Sequence, residues 1–184
     1  MRTRLPARSA VIRALFGLAA IGLAAQAASP ALSPTVPLTE GPFYKAGSPE
    51  RSNLAASVTA GQRLTITGTV SDLEGRPLGR AWLDFWQADS AGRYDNGGYQ
   101  FRGHQFADAA GHYVLTTVIP GEYPGRTPHI HVKLRAPGGK TLTTQIFFPG
   151  NARNDSDPIF DRSLVIAMST DGKSGQIDFV IPAP

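Results

Sequence analysis

From Gln62 onward the chain is written in short runs that suit pleated strands. Arg63-Leu64-Thr65-Ile66-Thr67-Gly68-Thr69-Val70 alternates apolar and polar residues with period two, which predicts a strand with one buried face. Asp72 to Pro77 has turn chemistry, and Ala81 to Trp86 reads as the next strand. A second turn, Asp108-Ala109-Ala110-Gly111, precedes a strand over His112 to Ile119. Pro128 to Leu134 follows, then the turn Pro137-Gly138-Gly139 and a strand over Thr141 to Phe148. Ser163 to Met168 and Gln176 to Ile181 are the last two expected strands. No long stretch carries the helical period, and no internal repeat is present. About seven short strands at this spacing predict an all-β fold, an antiparallel β-sandwich or barrel. Such a pattern alone says nothing about chemistry.

The N-terminal third has a different texture. Arg2, Arg4, Arg8 and Arg13 precede an apolar run from Ala14 to Ala25, and Ala25-Gln26-Ala27 fits the small-x-small cleavage rule. Residues 1–27 therefore read as a cleaved secretory signal peptide, with an organelle transit peptide as the alternative. The apolar run is short for a membrane span, so no stable membrane anchor is expected after cleavage, and the mature chain is expected to be secreted or periplasmic. Residues 28–61 form a Pro- and Ser-rich arm, and 62–184 the β domain. The chain has 184 residues, enough for one domain with one core.

Charge changes the picture only at the leader. The formal net charge is +4, and the four leader arginines account for all of it. From Ala28 onward 14 basic residues face 14 acidic ones, so there is no footprint of nucleic-acid binding. The absence of cysteine removes disulfides, thiolate ligands and a cysteine nucleophile.

The candidate chemistry lies in Pro128-His129-Ile130-His131-Val132-Lys133-Leu134. In a strand, residues two apart share a face, so His129 and His131 project together and Ile130, Val132 and Leu134 project oppositely. The aliphatic residues supply one apolar face, and a metal is one use for the paired imidazoles. Two satisfied or surface histidines are the alternative. Tyr123 lies in the loop that leads into this strand, and Tyr94 follows the strand ending at Trp86. Taken singly, each tyrosine could be a packing residue. Trp82 and Trp86 share a strand face and read as packing. His104 and His112 stand outside the motif, and Asn151 to Asp157 reads as a polar loop without calcium-loop spacing.

Several ordered motifs together resemble one family. They are Thr39-Glu40-Gly41-Pro42-Phe43-Tyr44, Asp84-Phe85-Trp86-Gln87-Ala88-Asp89 with Gly92-Arg93-Tyr94, and Phe101-Arg102-Gly103-His104-Gln105. The Pro-Gly-x-Tyr loop at Tyr123, Arg126-Thr127-Pro128-His129-Ile130-His131 and Thr144-Gln145-Ile146-Phe147-Phe148 complete the set. From about Leu38 to Phe148 the chain resembles the intradiol ring-cleavage dioxygenases of the compact, protocatechuate 3,4-dioxygenase-like type.

The resemblance implies a β-sandwich with an extended arm and loops that carry the metal site. It implies one non-haem Fe(III) per chain, held by Tyr94, Tyr123, His129 and His131. It implies O₂-dependent cleavage of a catechol between its hydroxyls to a cis,cis-muconate-type diacid, with Tyr123 displaced as substrate chelates the metal. Arg126 matches the family's active-site arginine, and Gly41, Pro42 and Gln145 match substrate-pocket positions. The loop from Tyr123 to His129 is shorter than in the best-known members, which leaves the pocket size and the particular catechol open. Assembly into a homo-oligomer is also left open. A secreted β-sandwich binding module, transthyretin-like or carbohydrate-binding-like, and a zinc hydrolase on His129 and His131 are the alternatives.

Overall fold

The structure, a computed structural model, describes residues 31–184; the leader expected over 1–27 lies outside the described residues. Nine strands occur among the described residues: β1 (Arg63–Ser71), β2 (Trp82–Gln87), β3 (Arg102–Phe106), β4 (His112–Val118), β5 (His129–Arg135), β6 (Leu142–Phe147), β7 (Ala167–Met168), β8 (Ser174–Gln176) and β9 (Phe179–Val180). They form two sheets. One has the order β3-β2-β5-β6 and is antiparallel throughout. The other has the order β4-β1-β8-β7, with β9 also on β1. The expected antiparallel β-sandwich is present, and within it β8 and β9 pair with β1 in parallel.

The core lies between the sheets. Leu64, Ile66, Val70 and Leu115 face Leu83, Phe85, Ile130, Val132, Leu134 and Ile146, all without exposed surface. This is the apolar face that the alternation in β1 and β5 predicts. One polar group bridges the core: the Gln87 amide accepts from Thr117 Oγ1 at 2.8 Å and donates to the Val118 carbonyl at 3.0 Å. Paired in this way, the buried amide avoids the cost of an unmet hydrogen bond.

Three turns share one construction, Asp-x-x-Gly followed by Arg or His. In Asp72–Arg76, Asp89–Arg93 and Asp108–His112 the Asp carboxylate accepts from two backbone N–H groups of its own turn. In the first turn it also binds the side chain of Arg76, in the second that of Arg93, and in the third that of His112. Each glycine sits near φ +78°, where a side chain is disfavoured.

Three segments differ from the sequence expectation. β3 has no counterpart there, because Arg102-Gly103-His104-Gln105 lacks apolar alternation. Ser163 to Met168 begins in a 3-10 turn (Arg162–Leu164), bridges β6 at Val165 and ends in the two-residue β7, and Gln176 to Ile181 is split between β8 and β9. The arm straps both sheets. Leu38 N–H donates to Thr143 O in β6 at 2.8 Å, and Thr35 N–H donates to Val180 O in β9 at 2.9 Å. Isolated bridges continue from Glu50 to β3 and from Asn53 to β4.

Candidate metal centre

The outer face of the four-stranded sheet carries the site. His129 and His131 project from β5 away from the core and are 4% and 3% exposed, so this strand is buried on both faces. His129 Nδ1 lies 2.7 Å from Thr127 O. A carbonyl only accepts, so Nδ1 carries the proton and Nε2 presents a lone pair. His131 has no such anchor: its Nδ1 is buried without a partner. Its ring is instead stacked on Trp86, its neighbour in β2, at 4.7 Å and 8°. Trp86, read from sequence as packing, thus packs against a candidate ligand.

Burial keeps both imidazoles neutral. Desolvation brings His129 down to about 4. It also pushes His131 well below its ordinary value, helped by nearby His129, Arg126 and Arg102. The two Nε2 atoms are 3.0 Å apart. Two nitrogens each about 2.1 Å from one ion, the length of a zinc–imidazole bond, and at right angles would stand about 3 Å apart. The pair therefore fits two adjacent positions on one metal.

Tyr94 and Tyr123 arrive on two loops that meet backbone to backbone. Gly92 and Gly121 both donate N–H to Asp89 O. A Cβ on Gly92 would lie 1.9 Å from Glu122 O, and one on Gly121 would lie 2.5 Å from Ser90 O. This contact sets the tyrosine rings 6.0 Å apart at 84°, with Tyr94 6.3 Å from the His131 ring. The hydroxyls of Tyr44, Tyr99 and Tyr113 donate to protein acceptors; among the described residues those of Tyr94 and Tyr123 donate to none. Burial pushes Tyr94 up to about 12, against the lowering effect of Arg126 and Arg102. Without a metal it is a neutral phenol, and a bound cation would displace its proton.

Among the described residues no three His, Cys, Asp or Glu side chains converge as a metal cluster. An ion on the histidine pair would therefore draw its other protein ligands from the tyrosines. Phenolate is a hard anionic donor that suits ferric iron, and tyrosine also holds haem iron in catalase. Zinc more often takes His, Cys or carboxylate. The donor set fits Fe(III).

Arg126 lies on the short loop into β5. Its Nε donates to both oxygens of Asp157, at 3.0 and 2.8 Å, and its Nη2 donates to Gln145 Oε1 at 2.6 Å. Asp157 also accepts from the Thr127 and Ile159 backbone N–H groups. Burial alone would raise this carboxyl, but the Ile159 N–H, Arg126 and Thr127 N–H outweigh it and hold the pKa below the ordinary value. The segment read as a polar loop thus supplies a buried carboxylate beside the site. No spacing or motif marked it, because its partner lies 31 residues earlier.

The arm closes the site. A Cβ on Gly41 would stand 3.5 Å from His131 Cε1, so the backbone lies directly on the imidazole. Phe43, also missed, stacks on Tyr94 at 4.5 Å and meets Tyr123 edge-on at 5.3 Å. Buried Arg102 joins the arm to the Tyr94 turn by donating to Phe43 O and Asp95 O. Gln145 Nε2 donates to Thr39 O at 3.1 Å. Glu40 pairs with Lys133, while Tyr44 and Ser48 donate to Asp84. Pro42 lines a cavity of about 450 Å³ beside the site with Phe43, Tyr44, Lys45, Asn96 and Arg102. His104 packs on Ser48, and exposed His112 pairs with Asp108; neither approaches the pair in β5.

Residues 39–172 match the family model described as dioxygenase. The chain is 33% identical over 144 residues to hydroxyquinol 1,2-dioxygenase of Nocardioides simplex, covering 65% of this chain and 49% of the relative. It is 36% identical over 118 residues to the protocatechuate 3,4-dioxygenase beta chain of Burkholderia cepacia, covering 54% and 50%. The chain spans about half the length of the curated relatives it matches. Among solved structures, it is similar to the dioxygenase domain of a dioxygenase–carbohydrate-binding protein fusion from Streptomyces sp. SirexAA-E. That match has 47% identity and a TM-score of 0.79, covering 83% of this chain and 100% of that one. An intradiol ring-cleavage dioxygenase from Tetranychus urticae is 25% identical with a TM-score of 0.75, covering 82% and 95%. With its two-sheet fold and matched motifs, the chain belongs to the intradiol ring-cleavage dioxygenase family.

Proposed function

We propose that this protein is a non-haem Fe(III) dioxygenase that opens a catechol ring between its hydroxyls, consuming O₂ and releasing a cis,cis-muconate-type diacid. The observation that carries this reading is the convergence of two buried neutral imidazoles on β5 with two half-buried, unpartnered phenols from the adjoining loops. Tyr94, Tyr123, His129 and His131 would hold the iron. When bound, ferric iron supplies Lewis acidity and a template for both catechol oxygens.

The chain's own groups supply the rest. Thr127 O fixes the His129 tautomer, and Trp86 fixes the plane of His131. Tyr123, deprotonated where it would hold the iron, could take up a substrate proton, which removes the need for a separate base. Arg126, held by Asp157, keeps a fixed guanidinium near developing negative charge. Gly41 covers the His131 ring and Phe43 covers Tyr94. Gln145 orients Arg126 and the arm together.

The test is a visible spectrum of the iron-loaded protein, then addition of catechol, protocatechuate and hydroxyquinol under air with O₂ uptake and product followed. The expected result is a red-brown tyrosinate-to-iron band that shifts with substrate, oxygen consumption and a ring-opened diacid. Tyr94→Phe and His131→Ala should each lose iron and colour together. A colourless protein inactive after ferric reconstitution overturns the reading. We also read residues 1–27 as a cleaved export signal, for which N-terminal sequencing of the mature protein should begin at Ala28.

A further inference from the structure

About 13 Å along β2 from Trp86, four residues at a strand's rise, the same sheet face carries a second aromatic cluster. Trp82 lies between Phe106 of β3 and Arg135 of β5 as cross-strand neighbours. These residues, with Arg80, line a cleft of about 480 Å³ whose other wall is the Pro137–Gly139 turn. Phe106 is 40% exposed, unusual for a phenylalanine, and Trp82 is only half-buried. The Arg135 guanidinium lies 5.0 Å from the Trp82 ring, and that of Arg80 lies 5.3 Å from Phe106.

Neither arginine is in an ion pair among the described residues, although Glu50 borders the far flank of Arg80 and Phe106. Arg80 also has φ +59°, a left-handed conformation that a glycine or asparagine would adopt with less strain. Its N–H donates to Ala107 O, which ties this backbone to the residue after Phe106.

We propose that this cleft binds a flat aryl ring carrying a carboxylate. The ring would lie against Trp82 and Phe106, and the carboxylate would accept from the free N–H edges of Arg80 and Arg135. Charge selects the ligand: the cleft presents two cations and no acid of its own. It is a site separate from the metal centre, and it stands whether or not the dioxygenase reading does.

The test uses ¹⁵N-labelled protein in the metal state in which it is isolated, with the Trp82 indole resonance assigned by its loss in Trp82→Phe. Benzoate should shift that resonance saturably, whereas benzyl alcohol at the same concentrations should not. Arg135→Gln and Arg80→Gln, both exposed positions, should each weaken benzoate binding by about five-fold, the upper end for an exposed ion pair. No shift up to the solubility limit, an equal response to benzyl alcohol, or a shift confined to Trp86 would overturn the proposal. So would a concentration-dependent dimer, seen by sedimentation, that Trp82→Ser abolishes, because the face would then be a contact between copies.

Discussion

Asp157 binds Arg126 with both oxygens and at the same time receives the Thr127 and Ile159 N–H groups. It therefore sets the arginine's position and the entry of β5 at once. Removing either partner has a different signature. Arg126→Ala deletes the charge beside the site and leaves Asp157 buried without its counter-ion. Turnover should fall by roughly 10²–10³, as for loss of an oxyanion donor, and stability should fall by about 3 kcal/mol, as for a broken buried pair. Asp157→Asn keeps the arginine but loosens it, costing about 2 kcal/mol as a charged hydrogen bond is lost. Its turnover should lie between wild type and Arg126→Ala. Both variants should keep the visible band, because neither residue is among the four candidate ligands. Steady-state rates, spectra and chemical denaturation measure all three quantities. Wild-type turnover in Arg126→Ala would remove the guanidinium from the chemistry.

At the level of elements, the site depends on two loops that touch through glycines. Gly92 has φ +77°, and its missing Cβ is what lets Glu122 O approach. Gly92→Ala should force the Tyr94 turn away from the Tyr123 loop. The expected outcome is a shifted or weakened tyrosinate band, faster iron loss to a chelator and a lower melting temperature. An unchanged band would show that the loops are positioned by the iron and not by their own packing. This dependence on contacts between loops also explains what could be read in advance. Period two in β1 and β5 gave the core face and the paired histidines, because alternation is a local property. The Asp-x-x-Gly turns were local as well. β3 escaped notice because its outer face is covered by the arm and its side chains are chiefly polar. Asp157 and Phe43 reach the site only through partners 30 or more residues away in sequence, and no local spacing announces such a contact. The parallel docking of β8 and β9 on β1 rests on a few residues each, too short to show a period.

Across the whole molecule, the arm and the outer face of the four-stranded sheet enclose a pair of imidazoles that cannot easily become charged, and this makes folding pH-dependent. In the unfolded chain a histidine titrates near 6.5, as a model-peptide value of about 6.5 indicates. In the folded protein burial brings His129 down to about 4. Between those values the unfolded chain binds more protons than the folded one. Stability is therefore full above about pH 6.5 and is lost as the pH falls toward 4. For His129 alone the loss is on the order of 3 kcal/mol; His131 is shifted in the same direction and adds to it. The carboxylates of Asp72, Asp89 and Asp108 are depressed by their turns, so their contribution is lost in a separate window, below an ordinary Asp value of about 3.9. Melting of metal-free protein should thus decline between pH 6.5 and 4.5, before the aspartates titrate. With iron bound the decline should be steeper, because protonation then also releases the metal. A melting temperature that stays level across pH 7 to 4.5 in the metal-free protein would mean that His129 and His131 gain protons freely, and that the arm does not seal this face from water.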